Sequence, residues 1–464
     1  MSYETAVSRM FALGHELASM PSHKFDLAHM RALLAALLHP ERRFPSVLIA
    51  GTNGKGSTAA TLAAILGASG LRTGLYTSPH LMRINERIRI NGIEIGDDDF
   101  ARLHGLVNEA AEKLVERGEL PWHPSFFEMM TAIAFEDFAR ERVEIAVLEV
   151  GMGGRLDATN VVEPLVSVIT DISFDHQKFL GNTVREIARE KVGIMRAGGI
   201  VVTLPQSPEA NDVIGNTILE LGARGVSAVA YVPPVSPGSS QYLAASSEYR
   251  APSTEKTNEE FVYRYPLSVM GHQIVVETAL VGRHQLRNVA LAIAAAEELS
   301  KLGFGGITSE TIERGIRETR WTGRFQILAA RGGWPETVLD VAHNPAGAWA
   351  LRSALSERYE GRPLLFVFGA MRDKAISEMA EILFPLAERV VATRVENPRS
   401  ATAEEIREAG ARTGTEIELA AEIGPALEQA RKWASGRAAS NPVVVVTGSI
   451  FLVGEAMRVL GVRG

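Results

Sequence analysis

The sequence predicts an α/β architecture in two successive units, and three observations predict it. Short apolar, β-branched runs alternate with segments of helical periodicity, the pattern of parallel βαβ units. The first of these runs passes through a glycine-rich turn into an Ala/Leu-rich helix. After about Arg331 the alternation restarts, in a second set long enough for its own core. A chain of 464 residues also exceeds what one ordinary core supports.

Taken in order, Ser46–Ala50 (SVLIA) is the first strand and a helix follows from about Thr58 to Ser69, with Gly70 as its stop. A helix near Phe127–Arg140 leads to a strand over Ile145–Val150, and Leu165–Thr170 is the next. A helix around Thr183–Met195 precedes a strand over Ile200–Thr203. Residues 233–259 are rich in Pro, Ser, Glu and Thr without periodicity and predict a surface insertion. Phe261–Val281 predicts antiparallel strands turning at Gly271, followed by a helix over Gln285–Leu302. In the second set the strands are Thr337–Val341, Leu364–Phe368, Val390–Thr393 and Val443–Thr447. Between the two sets, GR and GG dipeptides interrupt the pattern near Trp321–Arg331 and mark the boundary. No tandem repeat is present.

Composition narrows the function. Hydrophobic residues make up 46% and charged ones 22%, as in soluble globular proteins. With no cysteine, disulfides, thiolate metal sites and a cysteine nucleophile are excluded. No run approaches the roughly 20 apolar residues that span a bilayer, and the charge-interrupted N-terminus has no signal-type core. A net charge of −7 argues against nucleic-acid partners. The expectation is a cytoplasmic monomer, with neither nucleic acid nor membrane as partner.

The glycine-rich turn Gly51-Thr52-Asn53-Gly54-Lys55-Gly56-Ser57 lies between a strand and a helix. In that setting backbone N–H groups and a helix N-terminus bind phosphate. Lys55 offers charge to terminal phosphates and Ser57 a hydroxyl to Mg²⁺. The loop is shorter than the general G-x-x-x-x-G-K-[ST] pattern and carries Gly56 between lysine and hydroxyl. Glu149 ends a strand at the carboxyl edge of a parallel sheet, where ligands collect, and its carboxylate suits Mg²⁺. Taken singly, Ser78 reads as a turn residue before proline, His176 as a hydrogen-bonded structural histidine and Lys191 as a solvated helix lysine.

Several motifs run in order along the chain. They include AGTNGKGS, Thr77-Ser78-Pro79-His80-Leu81 with Glu86-Arg87, the run Glu149–Asn160 (EVGMGGRLDATN), Asp175-His176 and Glu190-Lys191-Val192-Gly193-Ile194. Further on are His284-Gln285 with Asn288, Gly323-Arg324-Phe325-Gln326, Asp340-Val341-Ala342-His343-Asn344-Pro345, Asp373-Lys374 and Gly448-Ser449. Together they resemble the folylpolyglutamate synthase and dihydrofolate synthase branch of the Mur ligase superfamily, from about residue 46 to 454. One departure is Val341, where the family pattern commonly reads DGAHNP.

The resemblance implies a P-loop-type Mur ligase central domain (residues 1–322), a linker (323–331) and a Rossmann-like C-terminal α/β domain (332–464). It implies an ATP- and Mg²⁺-dependent ligase adding L-glutamate to dihydropteroate and to reduced folates through an acyl phosphate. Asn53, Gly54, Lys55, Gly56, Ser57 and Thr58 would hold the nucleotide, with Asn288, Arg324, Asp340 and His343. Metal would be bound by Ser57, Ser78, Glu149 and His176. Lys191 matches a carbamylated position, and with Lys55, His176 and Glu149 it would form the catalytic set, in a cleft between the domains. The pterin would meet Lys24-Phe25-Asp26, Ser125-Phe126-Phe127 and Leu156-Asp157-Ala158, although Phe126 and Phe127 read equally well as core residues at a helix start. Rival readings are a folylpolyglutamate synthase alone, a ligase acting on a UDP-linked peptidoglycan precursor, and a nucleotide-dependent switch protein without ligase activity.

Overall fold

The computed structural model describes residues 1–14, 27–234 and 262–462. Lys24, Phe25 and Asp26, and the expected insertion from residue 235 onward, lie outside the described residues. The chain divides into two compact units. The first comprises Met1–Ser78, Ile84–Ala279 and Leu286–Arg320; the second comprises Pro79–Arg83, Leu280–Gln285 and Trp321–Gly464.

The first unit is built on eight strands: β1 (Ser46–Ala50), β2 (Thr73–Tyr76), β3 (Ile88–Ile90), β4 (Ile93–Glu94), β5 (Ile145–Glu149), β6 (Val166–Ile169), β7 (Ile200–Thr203) and β8 (Arg224–Ser227). Their order is β4-β3-β2-β5-β1-β6-β7-β8. β3 pairs antiparallel with β2 and β4, and the other neighbours are parallel. Every residue of β1 and β5 is buried, so both read as near-continuous apolar runs rather than alternating ones. Register fixes the site. Ile49 pairs with Glu149, Ala50 with Ile169 and Tyr76 with Leu148. Four strands therefore end level, and the segments starting at Gly51, Thr77, Val150 and Thr170 leave from one sheet edge.

The helix after β1 spans Lys55–Ala68, three residues earlier than composition predicts. Gly54, at φ 86°, turns the chain directly into the first helical turn, so Lys55, Gly56 and Ser57 are helical rather than loop residues. The antiparallel pair is β9 (Tyr263–Val269) and β10 (His272–Thr278). Its turn at Met270-Gly271 has φ of 52° and 79°, the mirror-image geometry that two-residue hairpins favour. Helices Asp97–Glu116 and Ser309–Glu318 add to the predicted set.

The second unit carries β11 (Gln326–Leu328), β12 (Glu336–Leu339), β13 (Leu364–Phe368), β14 (Arg389–Thr393), β15 (Glu416–Ala420) and β16 (Val443–Thr447). Their order is β11-β12-β16-β13-β14-β15, parallel except for β11. Leu339, Leu365, Val367, Val391, Val444 and Val446 form one face of its core, beneath helices Ile423–Ser435 and Ile450–Leu460.

Helix Ser309–Glu318 crosses the loop helix at Gly315, where a Cβ would fall 2.4 Å from Ile65 Cα. Backbone cannot yield as a side chain does. Gly315→Ala should therefore destabilise the protein by about 2 kcal/mol despite alanine's higher helix propensity. Gly67→Ala, with nothing within 4 Å of the added methyl, should stabilise it by up to about 1 kcal/mol. Urea denaturation midpoints check both; an unchanged midpoint for Gly315→Ala would show that the crossing can open.

Candidate active site

The loop leaving β1 is stitched to the segment leaving β6. The N–H groups of Thr52 and Asn53 donate to the Asp171 carbonyl at 2.8 and 3.2 Å. Thr52 Oγ1 donates to Ser173 O at 3.0 Å and accepts from Ser173 N at 3.1 Å. Asp171 is in turn held by Arg287, whose Nη2 donates to Oδ1 at 2.6 Å and Nε to Oδ2 at 3.2 Å. The Asn53 N–H is thus engaged within the protein. Lys55, Gly56 and Ser57 are the first residues of the helix, so their N–H groups have no carbonyl one turn earlier to bond. These amides can face an anion. Gly54 lies so close to Asn288 that a Cβ would sit 2.1 Å from Asn288 Oδ1, which places the buried Asn288 against the loop. Thr58 is wholly buried beneath it.

Two lysines converge on one loop carbonyl. Lys55 Nζ donates to Gly51 O at 3.2 Å and to Thr52 O at 3.1 Å. Lys191 Nζ donates to the same Gly51 O at 2.7 Å. Lys191 is almost entirely buried, at 4% exposure. Burial and the neighbouring charge of Lys55 bring its pKa down to about 7, against the opposite pull of Asp175 and Asp157. A solvated lysine this is not.

Glu149, also buried, accepts a hydrogen bond from Ser78 N at its Oε2, 3.1 Å away. The exits of β5 and β2 are so joined. His176 opens a short helix in left-handed backbone (φ 49°), its N–H donating to Asp175 Oδ1 at 2.8 Å. Its Nε2 is 3.9 Å from Asp175 Oδ2. Among the described residues no three His, Cys, Asp or Glu side chains gather as a metal cluster. A cation here would need the Ser57 and Ser78 hydroxyls beside Glu149, a hard-oxygen set that fits Mg²⁺.

Most of the EVGMGGRLDATN run has a mechanical task. Asp157 accepts from the N–H groups of Gly151 (3.0 Å), Met152 (3.1 Å) and Thr159 (3.0 Å) and from Thr159 Oγ1 (2.5 Å). Burial pushes its carboxyl upward against those donors. Gly154 lies on the helix that carries Lys191: a Cβ would come within 2.7 Å of Glu190 O and 2.9 Å of Lys191 O. Arg155 N donates to Glu190 O at 2.8 Å, and Asn160 Nδ2 donates to Gly193 O at 3.0 Å. Asp157 therefore shapes the loop from Gly151 to Thr159, and the loop clamps the lysine helix.

Of the aromatic candidates, Phe126 is core. It is 3% exposed, stacked on Phe11 at 5.8 Å, with the Arg87 guanidinium 5.2 Å from its ring centroid. Ser125 caps the helix, accepting from Glu128 N at 3.4 Å. Phe127 is half-buried, and a Cβ on Gly151 would meet its ring at 2.6 Å. Phe127 therefore lies against the glycine loop, and Phe126 does not.

In the second unit Asp340 leaves β12 and accepts from Phe325 N at 2.8 Å and Ala342 N at 2.9 Å. Burial raises its pKa; the two backbone donors, Arg324 and His343 oppose that shift. His343 Nδ1 lies 2.9 Å from Val341 O. Arg324, Asp340 and His343 thus form one group. Sequence reasoning missed Asp171, Ser173 and Arg287: no motif letter distinguishes a carbonyl acceptor at a strand exit.

Residues 125–296 match the family model of the Mur ligase middle domain, and residues 323–450 that of the Mur ligase glutamate ligase domain. The chain is an ATP-dependent ligase of the Mur type. A dihydrofolate synthase/folylpolyglutamate synthase of Bacillus subtilis is 33% identical over 442 residues, which cover 94% of this chain and 95% of that protein. The structure of Mycobacterium tuberculosis folylpolyglutamate synthase complexed with ADP superposes with a TM-score of 0.82 at 29% identity, covering 100% of this chain and 99% of that one. E. coli FolC in complex with DHPP and ADP gives 0.77 at 28% identity, covering 99% and 98%. The chain belongs to the dihydrofolate synthase/folylpolyglutamate synthase family.

Lys55→Ala should lower turnover by about 10³-fold while leaving the fold intact, because it removes a positive charge from the loop without opening the core. Thermal unfolding and steady-state phosphate release check the two halves. A folded variant with near-normal ligation would refute the loop assignment.

Proposed function

We propose that this ligase is bifunctional, condensing dihydropteroate with L-glutamate and then extending reduced folates by further glutamates. The observation that carries the reading is the 33% identity with a dihydrofolate synthase/folylpolyglutamate synthase over 94% of this chain; the level ending of β1, β2, β5 and β6, near which Lys55, Ser78, Glu149 and Lys191 lie, supports the ligation chemistry. In the proposed reaction a substrate carboxylate oxygen attacks the γ-phosphorus of ATP, and ADP leaves. The glutamate amine then attacks the acyl carbon, the C–O bond to phosphate breaks, and the amine proton departs with the products. An anionic carboxylate must approach a polyanion, so positive charge held in place is the main requirement.

Ser57, Ser78, Glu149 and His176 are the proposed metal-binding residues. Mg²⁺ held there would neutralise charge on the triphosphate. Lys55 and the first-turn amides bind phosphate, and Asn53, Gly54, Gly56, Thr58 and Asn288 shape their cradle. Arg324, Asp340 and His343 are the proposed nucleotide contacts of the second unit. Phe127 with Leu156 and Ala158 is the proposed flat surface for the pterin; Asp157 and Ser125 hold its backbone in shape.

Three phosphate-release assays test the substrate reading, with dihydropteroate, with tetrahydrofolate, and with nucleotide alone, each with and without glutamate. Glutamate-dependent release with both acceptors is expected. Release with tetrahydrofolate only would reduce the activity to polyglutamation, and release without acceptor or glutamate would favour a switch protein.

Lys191 is proposed to act as a carbamate. Its neutral amine attacks the CO₂ carbon, an N–C bond forms as one C=O π bond opens onto oxygen, and one proton leaves the nitrogen, so a neutral amine becomes an anionic carbamate. Burial and Lys55 supply that neutral amine by lowering the lysine pKa to about 7. As pH falls through that value the amine takes up a proton and can no longer form the adduct. Enzyme kept in CO₂-free buffer near about pH 6 should lose activity and regain it near about pH 8 with bicarbonate, with a ¹³C carbamate signal appearing in step. Full activity of Lys191→Ala, or recovery without bicarbonate, would overturn the proposal.

A further inference from the structure

The loop leaving β1 is tied to the segment Thr170–Ser173 that leaves β6. The Thr52 and Asn53 N–H groups both donate to Asp171 O, and Thr52 and Ser173 exchange two further bonds. Asn53 and Asp171 form an antiparallel bridge. A Cβ on Gly51 would fall 1.8 Å from Thr170 Oγ1, so loop and segment also touch. Whatever fixes this segment therefore fixes the loop.

Two side chains fix it, both from outside the loop. Gln206, just beyond β7, accepts from Ile172 N at 3.0 Å through Oε1 and donates from Nε2 to Thr170 O at 3.1 Å. It grips the residues on either side of Asp171. Arg287 takes Asp171 itself, donating to both carboxylate oxygens and, through Nη2, to Pro205 O at 3.0 Å. A planar fork on a carboxylate fixes direction as well as distance. With side chains 29% and 37% exposed, the pair adds only modestly to overall stability. What it holds is one backbone carbonyl. The next residue, Asn288, fills the space beside Gly54. Two consecutive residues of helix Arg283–Lys301 thus bear on the two ends of the loop, Arg287 through Asp171 and Asn288 directly. All the contacting residues lie within the first unit.

We infer that Arg287 and Asp171 are positioning residues for nucleotide binding. Their ion pair aims the Asp171 carbonyl, and that carbonyl sets the loop in its phosphate-receiving shape before nucleotide arrives. A loop released from it must be ordered as nucleotide binds, which weakens affinity and leaves the chemical step alone. The inference rests on the proposed phosphate role of the loop.

Arg287→Ala, Asp171→Ala and the double variant test it. Asp171→Ala keeps the main-chain carbonyl and removes only the grip on it. In nucleotide-free protein, hydrogen exchange at the Thr52 and Asn53 amides should accelerate about tenfold in each single variant, while β1 keeps its protection. The dissociation constant for AMPPCP with Mg²⁺ should rise about tenfold, and KM for ATP with it. Turnover at saturating ATP and the KM values for acceptor and glutamate should stay near those of the parent. The double variant should be no weaker than either single one, because the two residues act as one device.

Unchanged exchange in both single variants would overturn the link from Arg287 to the loop. Faster exchange with the parent's affinity would overturn the positioning role. So would losses of affinity that add in the double variant, since Arg287 would then act on the nucleotide by itself, or a fall in turnover at saturating ATP with affinity unchanged. Lys55→Ala separates this from the reading beneath it. If that variant binds AMPPCP as tightly as the parent, the phosphate assignment of the loop fails, whatever the exchange data show.

Discussion

Two amines that share one carbonyl set the constraint around which the first unit is arranged. Lys55 and Lys191 both donate to Gly51 O, one from the first turn of the loop helix and one from within the protein. Like charges this close are tolerated only if one is neutralised or an anion lies between them. Lys191, the buried partner, yields: its pKa drops to about 7 while the half-buried Lys55 stands at the mouth of the loop.

Holding that lysine in place takes more sequence than the chemistry does. Gly154 and Gly193 admit close approach, a Cβ on Gly193 falling 2.4 Å from Arg155 Cβ. Arg155 pairs with Glu190 at 3.0 Å, and Asn160 ties the loop to Gly193 O. Arg196 closes the far side, donating to Asn160 Oδ1 at 3.0 Å and Val162 O at 2.7 Å. A dozen residues from Glu149 to Asn160 therefore contain one candidate metal ligand, and the remainder is largely a clamp. Read as letters they all look equally functional; read as contacts they separate into chemistry and support.

That separation shows what the sequence makes legible. The α/β alternation, β1 over Ser46–Ala50 and the hairpin turn at Met270-Gly271 follow from local preferences: β-branched runs, a glycine with positive φ, period-two patterning. The gathering of Lys55, Ser78, Glu149 and Lys191 was legible only through resemblance, because strand order and register are long-range facts. β5 inserts between β1 and β2, and no local pattern announces it. Phe126 was ambiguous for the same reason. Its neighbours Phe11 and Arg87 are distant in sequence, and only their arrival on both sides of the ring decides that it is core. Asp171 was invisible because its bond to the loop runs through its main-chain carbonyl, which any residue could supply, and Arg287 because the carboxylate it holds is distant in sequence.

Glycine use carries this reasoning one step further. Gly54, Gly154, Gly315 and Gly454 all stand where another group occupies the place of a Cβ: Asn288, a helix carbonyl, the Ile65 backbone and the Leu81 carbonyl. Only Gly54 among these four also needs a left-handed backbone. The other three are demanded by contact rather than by conformation, and the occupying group is main chain each time. Because a main-chain atom cannot rotate away, such a position transmits displacement instead of absorbing it. Gly315 does so for the loop helix and Gly154 for the lysine helix. Gly315 and Gly154 each fix one arm of the candidate site by contact with backbone rather than with a side chain, and neither adds a charge to a place where charge is already the difficulty.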